Sequence, residues 1–257
     1  MITPTIEESL HARLRRAPSR FTVPESLPIL FFGDLLTARI ATVGLNPSRR
    51  EYTDKRDREL DGPQRRFETL RSLGATDRAI LSPEQCNKAV ATMRAYYRPS
   101  GPAYSWFAPL VRVVRGMGFE YATGDVAHLD LVQEATDPTW SALNAKHPDE
   151  ALALRTADGP FLRWQMEAFP LNVLVCNGRT VFDGVCQLTE AEFVASHKIA
   201  RLNCHVAVAK VGGRRLGVIG WNIPLARPTG LTSEDQVALG RHFAQHLAEL
   251  RLLPQFA

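Results

Sequence analysis

Four short segments place chemically useful residues directly after apolar, β-branched runs. Gly44-Leu45-Asn46-Pro47-Ser48 follows the first run, and there Gly44 permits close backbone approach, Pro47 stiffens the turn and Asn46 presents a neutral amide. The second run ends in His128-Leu129-Asp130-Leu131; a carboxylate in a strand buried on both faces is costly unless an arginine pairs with it or a ligand meets it, and both readings stand for Asp130. The third ends at Asn177-Gly178 and opens RTVFDGV, which offers backbone donors at a helix N-terminus. The fourth ends in Trp221-Asn222-Ile223-Pro224-Leu225, followed by Arg227-Pro228-Thr229-Gly230-Leu231. Polar residues at corresponding strand ends form one rim, the usual place of a ligand in an open α/β sheet. There is no GxxxxGK[ST] and no GxGxxG, which excludes the nucleotide-cofactor loops, and no cofactor or metal is expected.

The elements that position this rim are legible as four buried strands, residues 38–44 (ARIATVG), 125–131 (DVAHLDL), 172–176 (NVLVC) and 216–221 (LGVIGW). Helical patterns at 106–117, 161–169, 179–188 and 233–252, the last with Ser233 as its cap, alternate with them. This alternation predicts an α/β fold, a three-layer α/β/α sandwich around a central, mainly parallel four-stranded sheet. Residues 207–220 also read as a hairpin turning at Gly212-Gly213, which makes one edge antiparallel. One domain over 1–257 is expected, with an insertion at about 49–97. That segment alternates charge, with eight cations against six acids over 49–71, and reads as solvated helix laced with i,i+4 pairs.

The 257 residues are 45% hydrophobic and 23% charged, enough for a sizeable core. No apolar run approaches the roughly 20 residues of a membrane span, and the first residues carry charges where a signal peptide is apolar; a cytoplasmic chain without a membrane partner is expected. Of 31 Lys and Arg only five are Lys, leaving 26 Arg, the side chain whose planar fork suits phosphates and base edges. A genome rich in G and C gives the same bias. The net charge of +4 does not by itself demand a polyanion. Cys86, Cys176, Cys186 and Cys204 lack metal or disulfide spacing and read as buried thiols. His242 and His246, four apart, read as a partly exposed helix face, because no third ligand lies near in sequence.

These motifs together resemble those of the uracil-DNA glycosylase superfamily, over residues 36–247. Gly44-Leu45-Asn46-Pro47 is similar to the family's first motif, a Gly-x-Asn-Pro or Gly-x-Asp-Pro loop whose Asn or Asp positions the hydrolytic water. Asp130 falls near the residue that meets the flipped base, where the family has a neutral amide. Residues 227–231 look like the second motif, commonly His/Asn-Pro-Ser-x-x, in which Leu231 matches an apolar wedge filling the gap left by the extruded nucleotide. Arg227 stands where that motif opens with His or Asn, and Asn222 is the other candidate for the role. The four cysteines do not follow the family's iron–sulfur spacing.

The resemblance implies a monomeric, metal-free, monofunctional DNA glycosylase that hydrolyses the N-glycosidic bond of a flipped base, in base-excision repair or in defence against modified phage DNA. Its expected catalytic residues are Asn46, Asn222 and Arg227. Gly44, Leu45, Pro47, Tyr97, Asp130 and Asn177 are expected to hold the base, with Tyr96 and Tyr97 as stacking candidates. Arg49, Arg50, Thr229, Gly230 and Leu231 are expected to meet DNA. An ionised Asp130 only accepts hydrogen bonds, so a cytosine-type base is expected over uracil. The alternative is a nucleic-acid-binding module that keeps the fold without the chemistry.

Overall fold

The computed structural model describes residues 4–98, 105–225 and 230–253. A six-stranded mixed sheet is built from β1 (Ile40–Gly44), β2 (Val126–Asp130), β3 (Val173–Cys176), β4 (Glu192–Ile199), β5 (Leu202–Val211) and β6 (Arg214–Trp221), in the order β2-β1-β3-β6-β5-β4. The four runs expected from sequence are the parallel part, β2-β1-β3-β6. The antiparallel β5 and β4 extend it, which corrects the expectation of four strands. The β5–β6 hairpin turns at Gly212-Gly213, both at positive φ (55° and 77°), as a two-residue turn matching strand twist requires. Strand β4 has no local sequence signature, because only Ala195, His197 and Ile199 are even half-buried, so it lacks the apolar run of a central strand.

Seven α-helices are described: α1 (Ile6–Leu14), α2 (Pro83–Arg94), α3 (Ala108–Gly116), α4 (Trp140–Lys146), α5 (Pro148–Ala168), α6 (Arg179–Thr189) and α7 (Ser233–Glu249). Capping boxes start α1 at Thr5, α2 at Ser82 and α7 at Thr232, so the cap of the last helix lies one residue before Ser233. Two glycines of β6 show that helices cover both faces of the sheet. A side chain at Gly217 would meet Leu247 of α7, and one at Gly220, three residues on and so on the other face, would meet Phe182 of α6. Helix α3 crosses α7 at Gly116 and Gly240, where a Cβ on either would strike backbone of the other helix. No described helix is long and apolar enough to cross a membrane.

The segment 49–97 departs from the expected solvated helix. Only α2 is helical; the rest is turns, including 3-10 turns at Arg49–Glu51, Gly62–Gln64 and Arg78–Ile80. Its i,i+4 pairs, Asp54–Arg58 and Asp61–Arg65, brace turns instead of a helix face. Tyr52, Leu60, Phe67 and Leu81 are buried, and Phe67 stacks on Tyr96 with ring centroids 5.2 Å apart. The alternating charges hid these apolar anchors, which tie the segment to the core.

A buried ionic network joins α1, this segment, the loop after β2 and α5. The fully buried Arg78 donates to both carboxylate oxygens of Glu134 at 2.9 and 3.1 Å. Arg13 reaches Glu134 at 3.4 Å and Asp158 at 2.9 Å, and Gln133 donates its backbone N–H to Asp158 at 2.8 Å. Burial pushes the Asp158 carboxyl up from its ordinary value, against the pull of Arg13 and Arg16. Removing one charge from such a network leaves buried cations uncompensated. Glu134→Gln should therefore lower unfolding free energy by about 3–5 kcal/mol, as measured by urea denaturation.

Candidate functional site

The register of β1 against β2 creates the floor of the site. Thr42 lies beside His128 and Gly44 beside Asp130, and because side chains alternate along a strand, all four positions share one face. Thr42 Oγ1 is 2.8 Å from His128 Nδ1 and 2.6 Å from the Tyr121 hydroxyl, and His128 Nε2 is 3.4 Å from Asp130 Oδ1. The aromatic rings of Phe32, Trp106 and Phe107 pack around His128. Gly44 is required at its position, because a Cβ there would penetrate Asp130 Oδ1 and lie 3.0 Å from His128 Nε2.

Asp130 is 3% exposed. Among the described residues the basic side chain within 4 Å of it is His128, not an arginine, so the arginine-neutralised reading fails. Its Oδ2 is buried and has no hydrogen-bond partner. A buried acceptor left in that state costs about 1–3 kcal/mol unless something meets it.

The loop after β1 orients Asn46. Its Nδ2 donates to the carbonyls of Pro47 and Glu134 at 3.1 and 3.3 Å and to Thr136 Oγ1 at 3.2 Å. With the amide donors used on protein atoms, Oδ1 is what the side chain can offer to a ligand. Ser48 then caps the turn Arg49–Glu51, accepting from Arg50 N, and this turn carries Glu51 inward. Glu51 is 2% exposed and receives the Tyr96 hydroxyl at 2.9–3.0 Å. Burial, with a smaller push from the charge of Asp130, raises its pKa to about 8; the Tyr96 hydrogen bond and Arg66 only partly oppose this. Its carboxyl is thus mostly protonated at neutral pH.

These groups line one cavity of about 590 Å³, together with Gly44, Leu45, Pro47, His128, Asn177, Asn222 and the first turn of α6. Its aromatic surfaces are Phe32, Trp106, Phe107 and Trp140. Arg155 also lines it and forms no ion pair among the described residues. Asn177 is chiefly a brace, its Oδ1 accepting from Leu225 N at 2.9 Å and Trp221 Nε1 at 3.3 Å. Gly178, at φ 108°, leaves room for Pro224 and starts α6 without a side-chain cap. Asn222 accepts from Asn203 N through Oδ1, so its Nδ2 is the donor it can turn to the cavity. The cavity lining therefore includes an amide whose donors are used on protein atoms, a carboxyl group with an unsatisfied oxygen, a protonated carboxyl and flat apolar walls.

No protein-family model matches the sequence, and no curated protein matches it at a significant level.

Asn46, Gly44, Leu45, Pro47, Asp130, Asn177 and Asn222 converge as expected from sequence. Tyr97 does not: its ring lies against Tyr121 at 4.2 Å and it is absent from the cavity wall, so both it and Tyr96 are packing residues. Arg49 pairs with Asp57 and Asp137 at 3.0 and 3.3 Å, and Arg50 with Asp57 at 2.9 Å, so neither offers an uncommitted charge to phosphate. Leu231 is half-buried against the core, away from the cavity wall, and Gly230 is exposed. Arg227 and Thr229 lie outside the described residues.

Sequence reasoning missed Glu51, His128, Trp106, Trp140 and Arg155. The i,i+2 spacing of His128 and Asp130 could have shown that they share a face. Nothing local separates Glu51 from the charged residues around it.

Glu51 yields a pH prediction. A carboxyl whose folded pKa lies above its unfolded value holds more protons in the native state, so stability falls as pH rises from the ordinary carboxyl range through about 8. Melting temperatures measured across this window should decline in wild type more steeply than in Glu51→Gln, and parallel profiles would contradict the buried carboxyl. Gly44→Ala should cost about 1–3 kcal/mol by overpacking, read as a lower denaturation midpoint.

Proposed function

We propose that the chain is a monofunctional DNA glycosylase with a uracil-DNA glycosylase-like fold, hydrolysing the N-glycosidic bond of a flipped cytosine-type or modified base. The observation that carries this reading is the Asn46 amide. Its Nδ2 is spent on protein atoms, which leaves Oδ1 as its free acceptor, and Asn46 lines the same cavity as Asp130, whose Oδ2 has no partner. A water accepted at Oδ1 and a base met at Asp130 are the two things this reaction has to position.

The chemistry follows from those positions. The C1′–N bond breaks toward an oxocarbenium-like sugar while charge moves onto the leaving base. Water held by Asn46 forms the new C–O bond and gives up its proton, and the leaving base takes one up. Asn46 cannot deprotonate water at neutral pH, so acceleration depends on positioning and electrostatics. Glu51, protonated below about pH 8, supplies a hydrogen-bond donor toward the base as its charge develops. In its carboxylate form Asp130 accepts from an exocyclic amine and repels the O4 of uracil. Trp106, Phe107 and Trp140 offer stacking surface, and Arg155 a charge for the flanking phosphate. Flipping costs about a few kcal/mol, which these contacts must offset.

The deciding assay incubates duplexes carrying single altered bases with the protein, then cuts abasic sites with alkali. Strand cleavage at a cytosine-type base is expected; DNA binding without cleavage at any altered base would point to a binding module instead. Asn46→Ala should lower base release by about 10²–10³ with DNA affinity nearly unchanged. Asp130→Asn, close to isosteric, should shift preference toward uracil by about 1–3 kcal/mol of discrimination, measured as the ratio of release rates. Release should also fall as pH rises through about 8, and Glu51→Gln should remove that limb.

A further inference from the structure

On the α7 face of the sheet, outside the cavity, three histidines converge. His197 comes from the edge strand β4, and His242 and His246 from successive turns of α7. Strand register explains the meeting: His197 pairs with Cys204 and Cys204 with Trp221, whose ring faces Phe243 of α7. The sequence could not reveal the third member, which lies 45 residues before His242 and in a strand without an apolar signature. The helix face is partly exposed, as expected, and packs against that strand.

The imidazole rings lie 5.1 Å (His197–His242), 4.1 Å (His197–His246) and 4.5 Å (His242–His246) apart, and one nitrogen of each lies within 4.8 Å of the other two. Nε2 of His197 and Nε2 of His242 are buried and have no hydrogen-bond partner. Leaving two ring nitrogens orphaned beside a third ring is costly if the cluster is only packing. His246 Nδ1 lies 3.4 Å from Glu249 Oε2. A carboxylate on one imidazole nitrogen is the usual outer partner of a metal-ligating histidine, and it leaves Nε2 as the ligating atom.

We propose that His197, His242 and His246 bind one divalent transition-metal ion through three Nε2 atoms, with Glu249 orienting His246 from outside. Three neutral imidazoles suit zinc, with a fourth position for water. Zn–N bonds of about 2.0–2.1 Å at tetrahedral angles set nitrogen separations of about 3.4 Å, so the rings need close by only about 1.4 Å, within side-chain rotation. The ion would staple β4, hydrogen-bonded on one side only, to the closing helix. This site is independent of the glycosylase reading.

The test uses the full chain, stripped by a chelator and titrated with Zn²⁺ against a chromophoric competitor. One Zn²⁺ per chain is expected. His197→Gln and His242→Gln should each lower affinity by at least about 100-fold, and Glu249→Gln by about 10–100-fold. Circular dichroism of each variant in chelator checks folding. Where a variant fails that check, the Co²⁺ spectrum of wild type decides: tetrahedral nitrogen–oxygen bands without thiolate charge transfer support the site. No stoichiometric binding by wild type, equal affinity in folded variants, or thiolate bands pointing to the cysteines would each overturn it.

Discussion

The structure depends on one buried charge arrangement, with the carboxylate of Glu134 held between Arg13 and Arg78 and that of Asp158 between Arg13 and Arg16. Four parts of the chain distant in sequence supply it, and each would leave a buried, uncompensated charge if it moved away. Its position matters because the loop it fixes, residues 133–136, is the one whose Glu134 carbonyl and Thr136 hydroxyl grip the Asn46 amide. The Gln133 and Glu134 side chains of that loop thus belong to the core network, and the Glu134 carbonyl and Thr136 hydroxyl to the site. A loop that would otherwise be among the more mobile parts of an α/β fold is thereby made a rigid mount.

The cavity places two carboxyl groups in unlike surroundings. Glu51 sits under Tyr96 at the inner end of a turn, where desolvation dominates and its proton is retained to about pH 8. Asp130 sits at a strand end beside His128, which the Thr42–Tyr121 hydrogen-bond chain holds in place. Sites that divide acid and acceptor roles between two carboxyls do so through such environmental differences.

How far this was legible in the sequence follows from which signals are local. Central strands announce themselves through continuous apolar runs, and so β1, β2, β3 and β6, and the rim residues Asn46, Asp130, Asn177 and Asn222 at their ends, could be placed by number. The Gly212-Gly213 turn was readable for the same reason, since its conformation is a property of the glycines. Strand β4 was not, because an edge strand with one contacted face mixes Phe193 and Val194 with Ser196 and Lys198. The segment 49–97 does not announce its core contacts, because buried Tyr52, Phe67 and Arg78 are scattered among charges without a period; their burial is decided by tertiary partners such as Glu134 and Tyr96. Glu51 and the histidine trio failed to show for the same cause, since their chemistry exists only once tertiary neighbours arrive.

The relation between Gly44 and Asp130 separates shape from charge at this site. Adjacent in register, the two form a single steric unit, since the carboxylate fills the volume that a side chain on residue 44 would need. Asparagine at 130 would fill it equally well, so packing explains a branched planar group of this size but not its charge. Nor does ion pairing supply the reason, with one carboxylate oxygen at 3.4 Å from an imidazole and the other unpartnered. On the proposed reading, a buried carboxyl group that the fold does not need for shape, with one oxygen unpartnered, is placed for what enters the cavity. A ligand with a hydrogen-bond donor at that edge satisfies it, and one presenting an acceptor there leaves two lone-pair groups facing each other out of water.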